Sequence, residues 1–234
     1  MISFNQTSVV SHDGATILHP FSLQLTEQRI AVIGANGSGK STLARLINGL
    51  VEPTSGVVTI EAADTSAPPL DTVTDGAAVR RAVGFVFTDP AAQLIMPTVI
   101  EDVELSLRRE HRDAAERRRA ALAALARFGL DGFAERSVHA LSGGQQQLLA
   151  IATVLATGPR ILVTDEPTTL LDLRNTRIIG DLLTSLPQQV VIVTHNLELA
   201  ARADRALVVD RGRIVYDGEA ASAISHYRDR VAAA

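Results

Sequence analysis

The chain has 234 residues, 46% apolar and only 3% aromatic, so Val, Leu, Ile and Ala must fill its core without help from tryptophan. A net charge of −4 gives nothing that would recruit nucleic acid globally, and the absence of cysteine excludes disulfides and thiolate metal sites. The first ten residues lack the basic-then-apolar layout of a secretion signal, and the best apolar run, residues 148–156, is about half the roughly 20 residues a membrane helix needs. The expectation is a soluble, cytoplasmic chain that serves a membrane only through partners.

Two β-like runs, residues 7–10 and 21–25, flank a turn at His12-Asp13-Gly14. Residues 29–33 read as a buried strand running into a glycine-rich loop, and residues 41–50 as the helix after it. A turn at 52–56 leads to a strand at 57–60; residues 62–75, with prolines at 68 and 69, read as a surface loop. A strand at 83–87 is closed by Asp89-Pro90. From about residue 91 to 157 the period becomes helical, with helices at 99–107, 114–125 and 145–155. Residues 108–119 hold six arginines against three acids, read as a solvated helix face rather than a nucleic-acid patch. After Gly158-Pro159 come a strand at 161–164, a helix at 174–186, a strand at 190–194, a helix from Leu197 and a hairpin of 205–209 with 213–216. Strands alternating with helices indicate an α/β fold with a mostly parallel sheet, a small N-terminal antiparallel β part and an inserted α-helical subdomain. The organisation expected is one domain over 1–234, with a core of 1–88 and 158–234 and the helical insertion at 89–157.

Lys40 is the only lysine among 22 basic side chains, the rest being arginine. It ends Gly34-Ala35-Asn36-Gly37-Ser38-Gly39-Lys40-Ser41-Thr42, the phosphate-cradling pattern G-x-x-x-x-G-K-[ST]. A compact ammonium can lie alongside a looped backbone and meet two phosphates at once, whereas a planar guanidinium is too wide. The glycines let backbone N–H groups turn inward, and the following helix aims its positive end at the anion. Residues 161–166 form a buried strand that delivers Asp165 and Glu166 at its carboxyl end, where open α/β sheets bind ligands. Asp165, through water, and Ser41, directly, suit Mg²⁺, a hard ion that keeps several waters. Glu166 is the candidate base or water-positioner for in-line attack on a γ-phosphate. Leu141-Ser142-Gly143-Gly144-Gln145 opens a helix, so Ser142, Gly143, Gly144 and Gln145 form either a second anion cradle or a plain N-cap. His195, after the strand at 190–194, falls where it could bridge the γ-phosphate and Glu166.

With these motifs in this order, the chain resembles an ATP-binding cassette (ABC) ATPase over essentially its whole length. Residues 34–42 match the family's Walker A, 141–145 its LSGGQ signature and 161–166 its Walker B. Glu166 matches its catalytic glutamate, Asp172 its D-loop aspartate and His195 its switch histidine. The resemblance implies ATP and Mg²⁺ as cofactors. It also implies a head-to-tail dimer with a second cassette, identical or related, in which each ATP lies between residues 34–42 of one copy and 141–145 of the other. Phe87-Thr88-Asp89-Pro90-Ala91-Ala92-Gln93-Leu94, followed by Pro97-Thr98-Val99-Ile100-Glu101-Asp102-Val103, is similar to the energy-coupling-factor importers, typically F-Q-N-P-D-D-Q-L then P-T-V-x-x-D-V. Those pair such an ATPase with a transmembrane coupling protein and a substrate-binding membrane subunit. The biotin type is the nearest match and the cobalt/nickel type next. The implied place is the cytoplasmic face of the cell membrane, held peripherally, with no nucleic-acid partner.

Three positions depart from the family pattern. Thr88 stands at the Q-loop glutamine, with a bridging water or Gln93 as a substitute contact. Ser11, with only His12 beside it, stands where an aromatic usually stacks on adenine. Leu170 replaces the small residue before Leu171-Asp172. The competing functions are the ATPase of a conventional ABC importer, a soluble ABC ATPase acting on nucleic acid or the ribosome, and a nucleotide-gated partner with little hydrolysis.

Overall fold

A computed structural model describes residues 1–61 and 67–233. Its two sheets embrace one helix. The smaller sheet is antiparallel, in the order β2 (Thr16–Leu25), β1 (Ile2–Val10), β4 (Ser55–Ile60) and β5 (Leu70–Asp71). The larger has the order β10 (Arg213–Gly218), β9 (Arg205–Asp210), β3 (Arg29–Ile33), β8 (Gln189–Val193), β7 (Ile161–Asp165) and β6 (Val83–Val86). The strands from β9 to β6 run parallel and β10 returns antiparallel at the edge. Continuous apolar runs such as Ile30–Ile33 or Val190–Val193 are what a parallel sheet buried on both faces requires; β3 and β7 are buried at every residue.

Helix α1 (Lys40–Asn48) lies between the sheets, with Leu43, Leu46 and Ile47 packed among Ile2, Phe4, Leu25 and Ile60 of one and Ile30, Val163 and Val193 of the other. This sandwiching fixes the position of its N-terminus, and hence of the loop before it. On the far face of the large sheet, α6 (Leu173–Ser185) buries Ile179 and Leu183 against Val86, Leu162 and Ile192. There too, α8 (Ala220–Ala232) lays Ala220, Ala223 and Ile224 on Ala31, Ile33 and Val208. Short α7 (Leu197–Ala200) follows β8.

Between β6 and β7 the described elements are all helical: α3 (Val99–Ser106), α4 (Ala114–Ala126), α5 (Gly143–Ala156) and intervening single turns. Val99, Val103, Leu125, Leu130 and Leu149 form a core of their own. Helix α5 belongs to two cores at once, because Leu149 and Ala150 face that cluster while Ile151 and Leu155 face the large sheet.

Four elements differ from expectation. Within the stretch expected to be loop, Leu70–Asp71 pairs with β4, and just after it Gly76–Ala82 forms α2; residues 62–66 of that stretch lie outside the described residues. Helix α2 has seven residues and buries only Val79, too little for a period to show. Helix α8 follows the expected last hairpin; its packed face is largely alanine, which carries little periodic contrast. Strand β1 starts at Ile2 rather than residue 7, its alternation broken by register shifts around Gln6, whose φ is 47°.

Candidate nucleotide-binding site

Strand β3 ends at Ile33, and the chain turns through Gly34–Gly39 into α1. Gly34, Gly37 and Gly39 take φ of 149°, 74° and 107°, the left-handed region that glycine alone enters without strain. Two of these glycines are also crowded. A Cβ on Gly34 would run into the Val209 carbonyl oxygen, and one on Gly39 would stand 2.8 Å from Leu18 Cδ2. Gly34→Ala is therefore expected to abolish ATP binding and to cost about 1–3 kcal/mol of stability, as overpacked positions do. Parallel nucleotide titration and thermal melts check both.

Lys40 is 5% exposed, and its Nζ donates to the carbonyls of Gly34 (2.9 Å) and Ala35 (2.8 Å) across the mouth of the loop. Burial pulls its pKa below the usual lysine value, opposed by the negative charges of Glu166 and Asp165. Ser38 Oγ is buried with no hydrogen-bond partner among the described residues. An orphaned hydroxyl, inward glycines and an ammonium behind them fit a bound polyphosphate.

Ser41 and Asp165, 124 residues apart, meet with Ser41 Oγ donating to Asp165 Oδ1 at 2.9 Å. Asp165 is 2% exposed, and Arg45 lies 3.6 Å from its Oδ2. Burial raises its pKa, while the Ser41 bond and the Arg45 charge oppose that rise. Two hard oxygens at the edge of the phosphate loop are the donor set Mg²⁺ takes beside phosphates.

Glu166 follows β7 with φ 54°, a left-handed backbone unusual for a non-glycine and typical of functional turns. Its amide donates to Val193 O of β8, tying the turn to the neighbouring strand. Three donors converge on one carboxylate oxygen, Oε2: His195 Nδ1 at 2.8 Å, Thr169 Oγ at 3.1 Å and the His195 amide at 3.3 Å. Oε1 accepts nothing from the described residues. With Nδ1–H given to Glu166, the ring directs Nε2 away from the carboxylate.

Ser142 caps α5 in a capping box, donating its amide to Gln145 Oε1 (2.9 Å) and accepting from the Gln145 amide (3.4 Å). No hydrogen bond or ion pair among the described residues joins this tip to residues 34–42. The tip packs instead against the start of α6. A Cβ on Gly144 would stand 2.5 Å from the Asn175 amide carbon, and Asp172 caps α6 through the Asn175 amide at 2.8 Å. Beside it Leu170 is largely exposed and Leu173 is 89% exposed.

The sequence reading missed Thr169, Arg45 and Asn175. Arg45 stands one helical turn after Ser41, a spacing that could have revealed it. Thr88 sits half-buried just past β6. Gln93, the substitute contact, is engaged with the end of β6: its Oε1 accepts from the Phe87 amide (3.1 Å) and its Nε2 lies 3.5 Å from Phe85 O. Ser11 Oγ donates to Ala15 O at 2.9 Å and bonds Asp13, closing the β1–β2 turn.

A family model described as ABC transporter matches residues 18–169. The chain is 44% identical over 224 residues to the biotin transport ATP-binding protein BioM of Rhizobium etli, covering 96% of each. It is 39% identical over 202 residues to the energy-coupling factor transporter ATP-binding protein EcfA2 of Methanospirillum hungatei, covering 85% of this chain and 50% of that protein. Among solved structures, the dimeric post-hydrolysis state of the ATP-binding cassette MJ0796, bound to ADP and Pi, superposes with a TM-score of 0.80. It shares 32% identity, with 94% of this chain and 99% of that one covered.

Proposed function

This chain belongs to the ABC transporter ATP-binding family and is an ATPase, and on that premise we propose that it energises an energy-coupling-factor importer of the biotin type. In this reading ATP closes a dimer of cassettes, and hydrolysis reopens it. The observation that carries the chemistry is the Glu166 carboxylate, which directly follows Asp165, with Oε2 fixed by three donors and Oε1 accepting nothing from the described residues.

The loop amides and Lys40 Nζ bind the phosphates, Lys40 exchanging its two loop carbonyls for phosphate oxygens. Ser41 and Asp165 would hold Mg²⁺, which neutralises charge developing on the phosphates when bound. Glu166 Oε1 accepts the proton of the attacking water, while Thr169 and His195 keep the carboxylate from rotating away. His195 Nε2 is placed to reach the terminal phosphate. The helix tip at Ser142–Gln145 supplies the opposing anion contact to a second copy, which explains why it meets no phosphate loop within its own chain. That second cassette, identical or related, would also cover Leu170 and Leu173.

None of the helices among the described residues is long and apolar enough to cross a membrane; in this reading a transmembrane coupling protein and a substrate-binding subunit would be separate chains. The ATPase would then sit peripherally on the cytoplasmic face of the membrane. The surface suited to the coupling protein lies where the helical elements meet the large sheet. There a groove of about 270 Å³ is lined by Leu50, Arg80, Phe85, Phe87, Ser106 and Val154. Next to it in sequence Ile95 is 70% exposed, the turn holding an isoleucine in water. Biotin is the preferred solute because the relative covering 96% of the chain is named for biotin transport; cobalt or nickel is the runner-up.

Ile95→Glu is expected to leave stability and the isolated subunit's ATPase unchanged within about twofold, since an exposed side chain contributes little to folding. It should abolish co-purification with the polytopic membrane protein. A variant that still co-purifies in wild-type yield would remove Ile95 from the docking surface, and a wild type that forms only a soluble complex would remove the membrane-importer reading. Salt-sensitive binding to RNA or DNA would favour the soluble nucleic-acid alternative instead.

A further inference from the structure

Asp102 is a buried carboxylate that the nucleotide chemistry does not use. It sits on α3 at 3% exposure, and among the described residues no arginine or lysine forms an ion pair with it. Its Oδ1 accepts the backbone amides of Ile95 (2.9 Å) and Met96 (3.1 Å). Its Oδ2 faces Thr153 Oγ of α5 at 3.5 Å, and Thr153 is buried as well. Burial raises its pKa, the backbone amides and Thr153 opposing that rise. An unpaired buried carboxylate is costly, and a neutral or apolar residue would serve packing better.

What the carboxylate does geometrically is hold the turn that displays Ile95. The other end of the same segment is fastened to the turn and single helical turn leading into α5. The Val99 and Ile100 amides donate to Arg136 O (3.0 Å) and Ala134 O (2.9 Å), and the Val138 amide donates to Pro97 O (3.1 Å). Both ends of the exposed turn are thereby tied to α5 or to the residues just before its tip.

We propose that Asp102 is a positioning residue that fastens the Ile95–Met96 turn to α5, so that displacement of the Ser142–Gln145 tip on nucleotide binding reaches a membrane partner as displacement of Ile95. This rests on the importer reading above and extends it to a side chain that touches neither nucleotide nor partner. The physical requirement is a contiguous, rigid connection between the two sites, which these bonds supply.

Asp102→Ala and Asp102→Asn separate this role from simple packing. Asparagine keeps an oxygen that accepts both amides without the buried charge; alanine keeps neither. In the isolated subunit, hydrogen exchange at the Ile95 and Met96 amides should rise about tenfold or more in Asp102→Ala and stay near wild type in Asp102→Asn. In the assembled transporter, Asp102→Ala should lose partner-stimulated ATPase and uptake while its unpartnered ATPase is retained, and Asp102→Asn should recover most of both. Unchanged exchange in Asp102→Ala, full coupling in Asp102→Ala, or equal failure of both variants overturns the proposal. If Asp102→Ala does not fold, Asp102→Asn together with Thr153→Val decides: wild-type exchange at residues 95–96 and full coupling in the first are required, and loosened coupling is required in the second. A wild type that assembles with no membrane protein overturns the importer reading and the coupling role with it. Assembly with a coupled Asp102→Ala overturns the coupling role alone.

Discussion

Glu166→Gln is expected to lower ATP turnover by about 10²–10⁴-fold, the range a positioned general base contributes, while ATP affinity changes only a few-fold. The substitution keeps shape and backbone demand, because glutamine meets the φ of 54° no better and no worse than glutamate. It removes a carboxylate whose Oε2 is anchored by Thr169 and His195 and whose Oε1 accepts nothing from the described residues. With hydrolysis stopped and binding intact, the variant should accumulate as an ATP-bound pair of cassettes. Size-exclusion chromatography with and without Mg-ATP reads this directly, and a nucleotide-dependent shift from monomer to dimer is the expected result. Turnover within about twofold of wild type would remove Glu166 from the catalytic role. A variant that stays monomeric with saturating Mg-ATP would remove the sandwich. His195→Ala tests a lesser part of the same arrangement. It takes away one of the three donors on Oε2, leaving the base in place but less firmly aimed.

The central strands and the phosphate loop were legible because their physics is local. Ile30–Ile33 is continuous apolar chain, and the glycines at 34, 37 and 39 stand where the backbone turns left-handed. The meeting of Ser41 with Asp165 across 124 residues was also readable, since parallel strands bring their carboxyl ends to one edge. The partners that hold these groups in place were not. Thr169 and Asn175 stand three residues after Glu166 and Asp172, the groups they bond, a spacing too common at turns and helix starts to single them out. Helix α8 was invisible for a different reason: Ala220 and Ala223 are small because β9 lies close beneath them, and small residues erase hydrophobic contrast. Asp102 shows a third limit. Its place in P-T-V-x-x-D-V suggested likeness to one importer class, but only the fold reveals that its carboxylate takes the amides of Ile95 and Met96. Likewise Gln93, a plausible substitute for a missing Q-loop glutamine by sequence distance alone, turns out to be engaged with the end of β6.

Lys40 carries the second large expected effect. Lys40→Ala should weaken ATP binding by about 10- to 150-fold, corresponding to loss of charge-assisted hydrogen bonds worth about 1.5–3 kcal/mol. Lys40→Arg should fail nearly as badly. The ammonium is held between two carbonyl oxygens at 2.9 and 2.8 Å inside a loop that leaves it only 5% exposed. A guanidinium spreads its donors over a rigid plane, and that plane needs width that the loop lacks. The composition makes the same point, since a chain that uses arginine for its other 21 basic side chains keeps lysine here. Being the only lysine, it can also be followed chemically. An amine-directed reagent has two targets, Lys40 and the N-terminal amine, and the latter is paired with Glu61 at 3.1 Å. Labelling of Lys40 should be slow because the side chain is buried, although burial also lowers its pKa and makes the free amine more available. Saturating Mg-ATP should suppress Lys40 labelling and leave the N-terminus as reactive as before. Unchanged labelling at Lys40, or an arginine variant that binds ATP as tightly as wild type, would mean that the phosphates lie elsewhere.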